Sequence, residues 1–270
     1  MNSKIKIFRW IKIIVLLYSI IGIALYYLQE FFLFHPQKLD ANYQYHFNVP
    51  FAEVKIAVND VDTINMVKFF PKDAVAKGVV LYFHGNKQNI TRYAKFASSF
   101  TKQGYQVWME DYPGFGKSTG VRTEKKMYEQ AMIIYKMAQS KYSGDSIILY
   151  GKSFGTGIAA YVASKTNSKQ LILETPYYSI PALFSCYAPI YPTAYMSTYK
   201  IPTNEYLQVV NYPITIFHGT SDGVIPYRCA AQLKSVLKPT DEFITIENGT
   251  HHNLSEFELY QKKIDSLLKL

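Results

Sequence analysis

The chain has 270 residues, 49% hydrophobic and 18% charged, a composition able to bury a core and unlike that of a disordered chain. Two cysteines, Cys186 and Cys229, are too few for a small disulfide scaffold and form no CxxC pair, although a single long-range disulfide between them stays open. A net charge of +9 fits a polyanion partner, an anionic membrane surface or a merely basic exterior, and only the positions of the charges separate these.

Lys4, Lys6, Arg9 and Lys12 come immediately before Ile13–Leu28, a stretch with no charge and almost no polar residue. Counted over residues 11–28, with Lys12 snorkelling, the span is about 27 Å at 1.5 Å per residue, close to the roughly 30 Å hydrocarbon thickness. No small-x-small cleavage site follows; instead come Tyr26, Tyr27, Phe31, Phe32 and Phe34, residues suited to the headgroup level. Residues 1–34 are therefore expected to be a retained anchor in the lipid bilayer. The basic flank predicts a cytoplasmic N-terminus and an extracytoplasmic domain over 35–270. The remaining positive charge is dispersed, with no Arg/Lys block and no basic-aromatic stripe, which argues against nucleic-acid binding.

Past Pro36 the chain shows no repeat, low-complexity tract or long linker, so one compact domain is expected. Strands are predicted over Val54–Val58, Ile64–Phe70, Val79–Phe83, Gln106–Glu110, Ser146–Tyr150, Leu171–Glu174, Ile214–Phe217 and Phe243–Glu247. Helices are predicted over Thr91–Gln103, Glu124–Lys141, Gly155–Lys165, Tyr227–Leu237 and Leu254–Leu268. After two opening strands the order is β, α, β, α, and several strands are apolar on both faces, the pattern of a mostly parallel sheet covered by helices. The class is α/β. The interval of about 177–211 lacks a strand signal and is rich in tyrosine; it reads either as an ordinary helix with an irregular loop packing its aromatic side chains or as a lid over an apolar pocket.

Gly151-Lys152-Ser153-Phe154-Gly155 follows a strand and opens a helix. A nucleophile elbow needs small residues on both sides of the serine, because the tight turn that lifts the hydroxyl off the sheet leaves no room for side chains. A second match, Gly116-Lys117-Ser118-Thr119-Gly120, follows a turn-rich loop rather than a strand and reads as a connection; position 111 is Asp, so it fails as a phosphate loop. A serine needs a base, and the base needs an acid to orient it. Asp222 follows one predicted strand, and His251 and His252 follow the last. This gives the order Ser, Asp, His on loops at strand ends. Glu174, at another strand end, is an alternative acid. Six histidines without HExxH spacing argue against a zinc site, and no cofactor is implied.

These residues resemble an α/β-hydrolase, specifically the branch of small membrane-anchored serine hydrolases with esterase/lipase-like and acyl-protein thioesterase-like members. The likeness runs through Phe34-His35-Pro36, His84-Gly85-Asn86, Asp111–Ser118, the elbow, Glu174-Thr175-Pro176 and the two C-terminal loops. It implies Ser153 as nucleophile, Asp222 as acid and His252 as base, since Asn commonly follows the histidine, here Asn253; His251 is the alternative. It further implies an oxyanion hole from the backbone N–H groups of Phe154 and Asn86, with His84 a structural loop residue. Lys87-Gln88 departs from the small residues usual after His-Gly-Asn. The implied substrates are acyl esters or thioesters, with amides served by the same triad and a catalytically silent binding module as a further reading. A version lacking residues 1–34 is expected to be soluble and active.

Overall fold

The computed structural model describes residues 3–72 and 75–269. In chain order its elements are α1 (Ser3–Leu33), β1 (His35–Pro36), β2 (Phe51–Ala57), β3 (Thr63–Phe69), β4 (Gly78–Phe83) and β5 (Lys87–Gln88). Then come α2 (Ile90–Tyr93), α3 (Ala97–Thr101), β6 (Tyr105–Glu110), α4 (Glu124–Gln139), β7 (Ile147–Lys152), α5 (Gly155–Lys165) and β8 (Gln170–Glu174). The last are α6 (Ile180–Tyr187), α7 (Thr193–Met196), α8 (Thr203–Gln208), β9 (Ile214–Gly219), α9 (Tyr227–Ala230), β10 (Glu242–Ile246) and α10 (Glu258–Lys269).

Eight strands form one sheet in the order β10-β9-β8-β7-β4-β6-β3-β2. Pairings from β10 to β6 are parallel, and β3 and β2 join antiparallel. Each of the eight predicted strands is present, with no end shifted by more than three residues. The alternation expected of a central strand is plain in β4: Val79, Leu81 and Phe83 enter one apolar layer, Val80 and Tyr82 the other. The first layer is completed by α4, α5 and α8 through Met127, Ile134, Ile158 and Leu207, and the second by α3 and α10 through Phe100, Ile264 and Leu268. Three predicted helices are broken. Thr91–Gln103 divides into α2, a 3-10 turn and α3, Tyr227–Leu237 into the short α9 and a 3-10 segment, and Leu254–Leu268 into a 3-10 turn over Leu254–Glu256 and α10. The interval 177–211 holds α6, α7 and α8 rather than extended loop.

Within α1, Lys6–Leu33 is long and apolar enough to cross a membrane, and its middle residues, such as Ile14 and Leu17, are exposed. Its C-terminal end is not free. Leu33 and Phe34 are buried, and the Phe34 ring meets Phe115, Phe154 and Tyr199 edge-on. Arg122 stacks its guanidinium 4.3 Å from the same ring. A cut after residue 34 therefore removes core, not just a tether. Immediately beyond it, β1 pairs with β5, so the unexpected Lys87-Gln88 forms a two-residue ladder with His35-Pro36.

Candidate active site

Site residues gather at the carboxyl ends of β4 and β7, between which the strand order reverses, and of β9 and β10, the end at which a doubly wound sheet places its sites. Between β7 and α5 the chain turns within two residues, and Ser153 takes a positive φ of 53°. The flanking glycines are sterically forced. A Cβ on Gly155 would stand 2.1 Å from the Phe83 carbonyl oxygen, and one on Gly151 would stand 2.6 Å from the Thr156 Cα. The turn is held by the Ser153 N–H donating to the Glu174 carbonyl at 2.8 Å and by the Thr156 N–H donating to the Ser153 carbonyl at 2.9 Å.

Facing the Ser153 hydroxyl is His251. Its Nε2 lies 2.8 Å from Ser153 Oγ and its Nδ1 2.8 Å from Asp222 Oδ2. With Nδ1–H donating to the carboxylate, Nε2 is free to accept the serine proton. Asp222 is anchored in turn: its Oδ1 accepts the backbone N–H groups of Val224 and Ile225, each at 2.8 Å. Burial pushes the Asp222 carboxyl up, but the His251 hydrogen bond and charge, the Ile225 N–H and His218 together outweigh it and hold the group below its ordinary range. His218, buried beside it, has its own pKa lowered by desolvation despite the carboxylate.

The expectation of His252 at this position is corrected. His251 is buried and His252 exposed, their rings 5.1 Å apart and nearly perpendicular. Asn253 explains the choice. Its side-chain oxygen accepts from the Thr250 N–H at 2.7 Å and from the Thr250 hydroxyl at 2.8 Å, folding the loop so that residue 251 points inward. The asparagine that suggested its immediate neighbour instead fixes the residue two before it. Glu174, the alternative acid, is engaged elsewhere, in a buried ion pair with Lys152 and a hydrogen bond from Tyr150. This pair, directly behind Ser153, is visible in the sequence only as two charged residues at the ends of apolar strands.

Phe154 follows the serine at the N-terminus of α5, and Asn86 lines the cleft with Ser153. Among the described residues neither backbone N–H has a protein acceptor. The Asn86 loop is set by its neighbours: the Asn86 carbonyl accepts the His35 N–H at 2.9 Å, and its side-chain amide donates to the Leu33 carbonyl at 2.6 Å. His84 is fully buried, stacked on Tyr93 at 4.9 Å, as suits a loop support. The second Gly-x-Ser-x-Gly segment is a connection: the Ser118 hydroxyl accepts the Asn65 N–H at 2.8 Å, away from this cleft. Cys186 of α6 and Cys229 of α9 are joined by a disulfide, resolving the open pairing. Among the described residues no cluster of His, Cys, Asp and Glu has the makings of a metal site.

Known proteins place this geometry. Residues 74–205 match the family described as serine aminopeptidase, S33. The α/β hydrolase domain-containing protein 17C of Xenopus tropicalis is 25% identical over 195 residues, 70% of this chain and 61% of that protein. The lysophosphatidylserine lipase ABHD12 of Macaca fascicularis is 24% identical over 194 residues, 64% of this chain and 49% of that protein. The chain thus spans about half to two thirds of the length of these relatives. An esterase of Pyrococcus furiosus superposes with a TM-score of 0.65 at 16% identity, covering 88% of this chain and 97% of its own. With the mostly parallel sheet and the strained serine turn, these likenesses show that the chain has the α/β-hydrolase fold.

Proposed function

We propose that the protein is a membrane-anchored enzyme of the serine hydrolase class, cleaving ester or thioester bonds of acyl substrates through an acyl-enzyme on Ser153. The observation that supports this most strongly is the unbroken line from Ser153 Oγ through the His251 ring to Asp222, 2.8 Å at each step. His251 takes the serine proton as Oγ attacks the carbonyl carbon, and then gives it to the departing alcohol or thiol. Asp222 orients the ring and stabilises its charge without itself taking the proton. The backbone N–H groups of Phe154 and Asn86 receive the negative charge that develops on the carbonyl oxygen. Water, activated by the same ring, releases the acid.

The aminopeptidase family match motivates a second reading, hydrolysis of an N-terminal peptide bond. An aminopeptidase needs an anion for the substrate ammonium, yet no Asp or Glu lines the cleft around Ser153, where Lys87, Arg92, Lys95 and Lys152 do. Ester chemistry is therefore preferred. For topology we propose a single pass with the N-terminus in the cytoplasm and the catalytic domain outside it. The basic flank of α1 supports this, as does the Cys186–Cys229 disulfide, a bond that persists in oxidising compartments. Residues from about 177 to 211 would form a lid. The deciding experiment is labelling of the full chain in detergent with a fluorophosphonate. Wild type is expected to label and Ser153→Ala not; a wild type that neither labels nor hydrolyses a p-nitrophenyl ester overturns the enzyme in favour of a binding module.

A further inference from the structure

The cleft that holds Ser153 is small, about 60 Å³. Beside it lies a much larger apolar cavity of about 540 Å³, within the range of small-molecule sites. The two share walls, because Asn86 and Val224 line both. The cavity is lined by Leu25 and Phe32 of α1 and by Leu183 and Tyr187 of α6.

This wall is built rather than incidental, since α1 is fastened to the 187–199 segment along several turns. Tyr18 stacks on Tyr191 with ring centres 4.6 Å apart, and its hydroxyl donates to the Ile190 carbonyl at 3.0 Å. Gln29 Oε1 accepts the Thr198 N–H at 2.6 Å, and Glu30 accepts the Tyr199 hydroxyl at 2.8 Å. Gln29 and Glu30, the polar pair that ends the apolar run, thus serve the joint between helix and lid.

The opposite rim of the cleft has another character. Lys87, Arg92 and Lys95 are exposed there, and none is within ion-pair distance of a carboxylate among the described residues. Ser153 therefore sits between an apolar chamber and an unneutralised cationic rim.

We infer that the substrate is an acyl ester whose reacting chain lies in the chamber between α1 and α6, and whose leaving alcohol carries an anionic group held by Lys87, Arg92 and Lys95. This rests on the serine hydrolase reading above and names its substrate class. The anchor is then a wall of the acyl site. Because the chamber adjoins the end of the apolar span, an acyl chain passes into it at the headgroup level without leaving the bilayer. In the reaction the Ser153 oxygen bonds to the acyl carbon as the bond from that carbon to the headgroup oxygen breaks. The proton moves through His251 to that oxygen, and the anionic group leaves unchanged in charge.

The test uses the full chain in detergent micelles, with glycerol and glycerol-phosphate monoesters of acids from two to sixteen carbons. For the first several added methylenes kcat/KM should rise about fourfold each. The phosphate series should exceed the neutral series by about tenfold, a margin that shrinks as salt is added. Leu183→Trp should flatten the chain-length profile, and Arg92→Glu should abolish or reverse the headgroup preference, each rate being divided by the fraction of protein that the fluorophosphonate labels. A wild type that labels and cleaves the two-carbon esters, yet has a flat chain-length profile or favours the neutral series, overturns this inference alone. A wild type that neither labels nor cleaves any ester takes the serine hydrolase reading down with it.

Discussion

The serine turn in the cleft and the wall of the chamber beside it are built on different principles. The elbow from Gly151 to Gly155 is dictated by backbone: a positive φ at Ser153 and carbonyl oxygens that leave no space for a Cβ at Gly155. The wall formed by α1 and the 177–211 interval is made of side chains, Tyr18 on Tyr191, Leu25 and Phe32 opposite Leu183 and Tyr187, any of which another apolar residue could replace in kind. Where backbone geometry demands a residue type, the demand is written locally in the chain. Where side chains from distant segments meet, it is not.

The sharpest way to break this comparison is at the base. His251→Ala should lower kcat/KM by about 10⁴-fold, whereas His252→Ala should change it by no more than about threefold, as measured with a p-nitrophenyl ester. Equal losses in the two variants would mean that the loop pinned by Asn253 adopts another register.

On the side-chain wall the expected effects are on stability. Phe34→Ala removes a ring buried among Phe115, Phe154 and Tyr199 and should cost about 3–5 kcal/mol in urea unfolding. Ile14→Ala, at an exposed position of the helix α1 that leads into Phe34, should leave that measurement unchanged. If the two variants behave alike, α1 is a tether only. Breaking the disulfide by Cys186→Ser reopens a 43-residue separation and should cost about 2–4 kcal/mol, read from the same unfolding curves under non-reducing conditions.

A smaller effect concerns Glu110 at the end of β6, buried with both carboxyl oxygens unpartnered among the described residues. Burial, and after it the neighbouring Asp111, push its pKa well above the carboxylate range. The folded chain therefore keeps the proton while the unfolded chain releases it near pH 4.3. By linkage, stability should decline as pH rises from that value towards the elevated folded one. Glu110→Gln should flatten this slope in pH-dependent melting, and an unchanged slope would place the titration elsewhere.

Much of the fold was legible because the strands of a sheet covered on both faces are short apolar runs, and all eight stood out as such. Helix continuity was not, since the breaks after Tyr93 and Ala230 arise from packing rather than from proline or glycine at those points. The serine and aspartate positions were readable from their turns. For the histidine, adjacency to Asn253 points to His252, whereas Asn253 acts through Thr250 and turns His251 inward. The role of α1 in the chamber was hidden for a related reason. A uniformly apolar stretch looks the same whether lipid or protein lies against it.

The fastening of α1 to Tyr191, Thr198 and Tyr199 also bears on how such proteins diversify. Exchanging the first thirty-odd residues for an unrelated apolar helix would do more than change what the domain is tied to. It would recut the chamber next to Ser153, so a lineage that swaps this helix reshapes that chamber in the same step.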